Sequence, residues 1–311
     1  MGKRDFGILL LLGAMWGASY LFIRITASAL GPVVLMDARV LLAGGALMLY
    51  ALAARRVPSF KGQWRAFLIL GTINGAIPLT LIAAAELNLP ASLAAMLNAT
   101  VPLFTALVAA GWLKDRLTLK KVIGLLMGMV GVGVLVGLSP LPLTGIILLS
   151  AGASLLAALC YAFGNVYASQ NFKGASPLAL SIGQQLATGV VLVPFALLRL
   201  PTTFPSTEVL LAFLGLSLMS TAIAYLLYFH LIQTVGATKT AIVTFLVPVF
   251  GLLWGALFLQ ETATVGTVVG LAIVLSSVFL ISGISLRSQK EPEEIAPALS
   301  EVTAGLSEVG D

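Results

Sequence analysis

Eight side chains stand out because they are polar or amphipathic within stretches that are otherwise apolar: Trp16, Tyr20, Asn98, Tyr161, Asn165, Tyr225, His230 and Trp254. Trp16 and Tyr20 are four residues apart and so share one face of a helix, and Tyr161 and Asn165 repeat that spacing in the second half of the chain. Asn74, Thr80, Gln184, Gln185 and Tyr228 are further polar residues of the same kind. A lone amide in such a setting more often ties two helices together, at about 1 kcal/mol. Rings and amides as a set are what a small amphiphilic, uncharged or zwitterionic ligand needs for a wall. A bare ion would need carboxylates or rings of carbonyls instead. The eight are therefore expected to bind substrate around one cavity.

His230 is the only histidine, and its ordinary titration range would let it exchange protons near neutrality. The acids are less suited to that task. Asp37 and Glu86 fall near the outer ends of their apolar stretches, and Asp37 is expected to pair with a nearby base such as Arg39. With no carboxylate at mid-depth, where a proton-driven pump would usually carry one, facilitated diffusion is the favoured mechanism and proton coupling the alternative. One histidine and one cysteine, Cys160, make neither a metal site nor a disulfide framework, so no cofactor and no metal are expected. An intramembrane enzyme would need a convergent acid, base or nucleophile set, and none is present.

The elements that hold these residues follow from composition. Of 311 residues, 59% are hydrophobic and 9% charged, and the mean hydropathy is +1.07. A soluble chain of this size could not clothe itself with so few charges. Ten stretches are apolar and long enough to span a bilayer, at 6–25, 33–54, 66–86, 91–113, 120–138, 143–168, 177–198, 209–233, 238–259 and 264–285. With the N-terminus inside, 14 of the 17 lysines and arginines fall on the inner side, which predicts cytoplasmic termini in a bacterial-type inner membrane. The basic balance thus implies a lipid bilayer as partner and no nucleic acid. The tail 287–311 holds six acids and two bases and is expected to be disordered.

The chain also repeats. Shifted by 146 residues, Ala91–Leu135 lies on Ala237–Ile281 without a gap, with 13 identities in 45 positions, Pro102/Pro248 and Phe104/Phe250 among them. Five spans per half is an odd number, so the halves, 1–138 and 139–286, enter the membrane in opposite senses. The fold expected is all-α, ten transmembrane helices in two inverted five-helix repeats, with a substrate site at the repeat interface. Pro102 and Pro248 free backbone carbonyls within their spans and are the candidate hinges. The paired acids Asp115 and Glu261 would fall on opposite faces. Glycines at i, i+4, among them Gly124/Gly128 and Gly266/Gly270, allow close helix packing, either within the chain or across a homodimer on the fifth and tenth spans. A monomer is equally compatible.

Ten spans in two inverted halves, with Trp16-Gly17-Ala18-Ser19 in the first span, Ala38–Leu42 in the second, the proline-closed entries Ala91–Pro102 and Ala237–Pro248, and Glu261 after the ninth, resemble the EamA-domain exporters of the drug/metabolite transporter superfamily. Within it the chain looks most like the YddG-type aromatic amino-acid exporters. Lys114-Asp115 departs from the Gly-Glu the family often has there. The resemblance implies a carrier exporting aromatic or other bulky amino acids, or similar small metabolites, by alternating access. A proton-coupled exporter of drugs is the competing expectation.

Overall fold

The computed structural model describes residues 2–60, 62–114, 118–139 and 141–282. Asp115 and the tail from residue 287 lie outside them. Ten helices cross in sequence: α1 Lys3–Leu30, α2 Pro32–Ala53, α3 Trp64–Ala85, α4 Ala91–Trp112, α5 Leu119–Gly137, α6 Gly145–Asn171, α7 Pro177–Leu197, α8 Thr207–Val235, α9 Val243–Phe258 and α10 Val265–Ser282. Eight are long and apolar enough to span a bilayer alone, and α9 and α10 are shorter. A one-turn helix, Ala237–Thr240, leads into α9 and completes that crossing. Continuous apolar stretches of this length must be helical in a bilayer, which leaves no water to satisfy the backbone, since the other solution, a closed barrel, needs short strands of alternating polarity.

Turns are short and their chemistry is local. Gly31 alone joins α1 to α2, with φ +74°, a conformation that costs a residue with a Cβ about 1–2 kcal/mol. Pro32 then opens α2, where its missing N–H is not needed. Thr118, Thr144, Ser176 and Ser206 cap the first turns of α5, α6, α7 and α8 through their hydroxyls.

The helices pair as an inverted duplication requires. Position n in the first half corresponds to n+5 in the second, so each contact should have a mirror. The α1–α9 contact mirrors α4–α6, and α3–α6 mirrors α1–α8. The α2–α7, α4–α9 and α5–α10 pairs are their own mirrors and mark the pseudo-twofold axis. Backbone conformation repeats as well. Lys114 and Gln260, which end the turns after α4 and α9, are 146 residues apart and both left-handed, at φ +58° and +57°. Part of α3, Thr72–Ala76, and part of α8, Gly215–Ile223, are π-helical, and the 146-residue shift puts the first inside the second.

Lipid tails are as apolar as leucine, so helix association depends on close packing rather than on burial from water. The glycines supply it within the chain. A Cβ on Gly17 would strike Phe250 and the backbone of Gly251, joining α1 to α9. On α5 and α10 the same holds for Gly124 against Ile281, Gly131 against Val274 and Gly270 against Leu135. The small residues of the fifth and tenth spans are thus occupied by each other, whereas Gly133 and Gly137 face open space.

Candidate functional site

A cavity of about 780 Å³ lies between the halves. Its wall follows the pseudo-twofold axis. Nine lining positions of the first half have their 146-residue counterparts in the same wall: Ser19/Asn165, Arg39/Gln185, Asn74/Ser220, Leu79/Tyr225, Ala95/Ala241, Asn98/Thr244, Ala99/Phe245, Val101/Val247 and Pro102/Pro248. The backbone duplication therefore carries the site, while the side chains differ where the chemistry is. Arginine faces glutamine, and leucine faces tyrosine.

Six of the eight expected residues line this cavity: Trp16, Tyr20, Asn98, Tyr161, Asn165 and Tyr225. Trp16 packs against Tyr225 and Tyr228, with ring centroids at 6.1 and 5.4 Å. Asn98 Nδ2 donates to the Tyr20 hydroxyl at 2.8 Å. The Asn98 Oδ1 is buried and has no donor among the described residues, so an acceptor is left over beside the wall. Pro102 and Pro248 also line it. They differ in context: α4 breaks at Ala99–Thr100, just before Pro102, whereas Pro248 sits inside a continuous α9 whose break comes earlier, at Ala241–Ile242.

His230 and Trp254 do not join the other six. His230 follows Tyr225 by five residues, a rotation of about 140° around the helix, which turns it away from the cavity wall. Trp254 lies off the stripe Ala241, Thr244, Phe245, Pro248 that faces the cavity. Its indole N–H donates to the Ala14 carbonyl at 2.9 Å and its ring stacks on Phe250, so it fastens α9 to α1.

The residue that sequence reasoning assigned elsewhere is Arg39. It does not pair with Asp37, and among the described residues it forms no ion pair. Eight residues into α2, it sits roughly 10 Å along the helix from its start, and it lines the cavity while 9% exposed. Its Nε donates to the Thr221 hydroxyl at 3.0 Å, and that hydroxyl donates to the Leu216 carbonyl five residues back, at 2.8 Å. The i−5 spacing is that of the π-helical stretch, so the local widening of α8 is what aims Thr221 at the guanidinium. Tyr20, Tyr161 and Tyr225 line the same cavity, and Glu86 is the carboxylate near enough to act on it. In the first half, the π-helical Asn74 donates to Gln184 Oε1 at 3.2 Å, and Gln184 donates back to the Asn74 carbonyl at 3.2 Å. The spacing of Arg39 from the start of its span masked this role, and no sequence signal marks the π-helical turns.

Among the described residues the cavity extends toward one face. Its wall reaches Lys121 at the start of α5, Ala241 and Thr244 before and within the first turn of α9, and Ile281 near the end of α10, all on the face that carries the N-terminus. Toward the opposite face the helices close. There the Glu261 carboxylate, after α9, accepts the Ala91 N–H at 2.7 Å and the Ser92 N–H at 3.0 Å. A residue of the second half thus caps the first turn of α4 in the first half, where a carboxylate also meets the positive end of the helix dipole. Gly255 makes room for it, since a Cβ there would strike Glu261 Oε2.

The description "EamA-like transporter family" matches residues 5–137 and 143–283. The chain is similar to PecM of Dickeya dadantii (strain 3937), 26% identical over 280 residues that cover 89% of this chain and 92% of that one. It is similar to the uncharacterized inner membrane transporter YedA of Escherichia coli (strain K12), 29% identical over 293 residues, covering 89% and 90%. A solved crystal structure shares the fold with a TM-score of 0.64 over 90% of this chain and 96% of that one, at 19% identity. Duplicated halves, a cavity on their axis and these relatives agree: the chain is a multi-pass membrane transporter and belongs to the EamA-like transporter family.

Proposed function

We propose that this protein carries zwitterionic metabolites with a bulky apolar side chain, aromatic amino acids above all, out of the cell across the inner membrane by alternating access. The observation that carries the reading is Arg39: a buried guanidinium that forms no ion pair among the described residues, in a cavity lined otherwise by rings, amides, hydroxyls and aliphatic groups, with one further cation, Lys121, at its edge. A buried cation without an anion is costly, and a substrate carboxylate removes that cost. The leftover Asn98 Oδ1 suits the substrate ammonium, and Trp16, Tyr161 and Tyr225 suit an aromatic side chain. The termini are cytoplasmic by the lysine and arginine bias, so the open face is the inner one. Among the described residues no carboxylate lines the cavity and His230 lies off it, which supports a facilitator rather than a pump.

Counterflow in proteoliposomes loaded with tryptophan or phenylalanine tests this. Saturable exchange, competed by the amino acid and not by its decarboxylated amine, is expected. Equal competition by the amine would overturn the carboxylate anchor, and the absence of exchange for every amino acid offered would overturn the substrate class.

A further inference from the structure

We propose that Glu86 is a proton-binding site within the outer seal: its carboxyl keeps a proton while the seal is shut and yields it to the outside when the seal opens. Protons on the outer side then favour the conformation described above. The inference rests on alternating access but on no particular substrate.

Glu86 follows the last residue of α3 and has no exposed surface. Neither carboxylate oxygen has a hydrogen-bond partner among the described residues. The charged groups near enough to act on it are Glu261, Arg24 and Arg39. None neutralises it. Arg24, exposed on α1, donates to the Glu86 backbone carbonyl, not to its carboxylate. Arg39 is tied to Thr221 and faces the cavity. Glu261 is another acid, and its carboxylate is already engaged by the two amide donors of α4. The helices α4 and α6, packed nearby, contain no charged residue.

A bare carboxylate in a dry site without donors, with a second acidic side chain nearby, is the less stable form by a wide margin. The shut seal therefore binds the proton. Opening the outer face parts Glu261 from α4 and lets water reach Glu86, and in water a carboxyl is ionised at neutral pH. By linkage the proton stabilises the shut form, and opening becomes easier as outer pH rises. Glu86 does not line the substrate cavity, so the proton has no path shown to the inner face. It acts on the equilibrium between the two faces and drives nothing uphill.

The test is labelling of Leu89→Cys, a position fully buried in the shut seal, in a Cys160→Ser background reconstituted in liposomes. The reagent is an impermeant maleimide, and Phe204→Cys, 87% exposed between α7 and α8, corrects for thiol ionisation. The ratio of the two rates is expected to rise between pH 5.5 and 8, by at most about tenfold per pH unit for one linked proton. With Glu86→Gln, which cannot ionise, the ratio should stay low throughout. A flat ratio with Glu86 intact overturns the proposal, as does a Glu86→Gln protein that follows the same rise. Because the Glu86 protein alone gives one of these outcomes, the test survives a Gln variant that fails to fold. Exchange of sodium for choline at fixed pH should leave the ratio unchanged, and a sodium dependence would make the ligand a metal cation and sink the proton. Amino-acid counterflow in the same vesicles separates the failures: flux with a flat ratio removes this site alone, and a rising ratio without flux removes the substrate reading alone.

Discussion

Arg39 and Gln185 occupy the same place in the two halves, 146 residues apart on the paired helices α2 and α7, and both face the cavity. A duplicated scaffold began with two equal walls. The protein now has a charge on one wall and an amide on the other, so under the proposed function a zwitterion is expected to bind in one orientation along the pseudo-twofold axis.

Arg39→Gln makes the two walls alike and removes the charge. A charge-assisted hydrogen bond is worth about 1.5–3 kcal/mol, so the half-saturating concentration for an amino acid should rise roughly 10- to 100-fold. Counterflow of tryptophan reads this directly. Arg39→Lys should recover only part, since an ammonium lacks the fork that Thr221 and a carboxylate share. An unchanged half-saturation in Arg39→Gln would remove the guanidinium from the binding account.

Gly255→Ala tests the cross-half cap. The added methyl meets Glu261, which must leave the amides of Ala91 and Ser92. Losing an N-terminal cap costs about 0.5–2 kcal/mol. Because this cap joins the two halves on the sealed face, the cost falls on the form described above, whose cavity reaches toward the face that carries the N-terminus. Accessibility of outer-face cysteines should therefore increase in both Gly255→Ala and Glu261→Ala, while thermal stability falls modestly. Closed labelling patterns in both variants would show that the cap does not hold the seal.

Much of this was legible in the sequence, for physical reasons that also mark where legibility ended. Ten spans follow from the absence of charge, and inversion follows from an odd number of spans per repeat. Tyr161 and Asn165 were found because they echo the spacing of Trp16 and Tyr20. Two features escaped. Depth along a helix was inferred from distance to a span end, which placed Arg39 at the rim beside Asp37; the long arginine instead reaches inward to Thr221. Rotation around a helix was not fixed by residue type, so His230 and Trp254 were grouped with residues they do not face. The π-helical stretches compound this, because one extra residue per turn shifts everything after it relative to a 3.6-residue period.

The α5–α10 pair gives a prediction on packing. Gly270→Ala places a Cβ within 2.7 Å of Leu135 Cγ and 2.9 Å of its backbone nitrogen, and the backbone cannot yield. Overpacking of this kind costs about 1–3 kcal/mol. Gly133→Ala on the same pair meets nothing within 4 Å and should be tolerated. Melting of the detergent-solubilised variants compares the two, and equal behaviour would contradict the packing assignment.

The last prediction separates a rate from an endpoint. If Glu86 senses outer protons and no titratable group carries them across with substrate, an imposed pH gradient should change how fast amino acid equilibrates and not how far. The cavity wall supports this, since among the described residues it holds no carboxylate, and His230, the only histidine, is rotated away from it. In liposomes with equal amino acid on both sides, a gradient of either sign should produce no net accumulation. With amino acid on one side only, acidifying the outer solution should slow approach to the same final level. His230→Ala should behave like the parent in both experiments. Accumulation above the outer concentration that follows the pH gradient and disappears in His230→Ala would mean that the histidine reaches the pathway in another conformation, and the facilitator reading would fall with it.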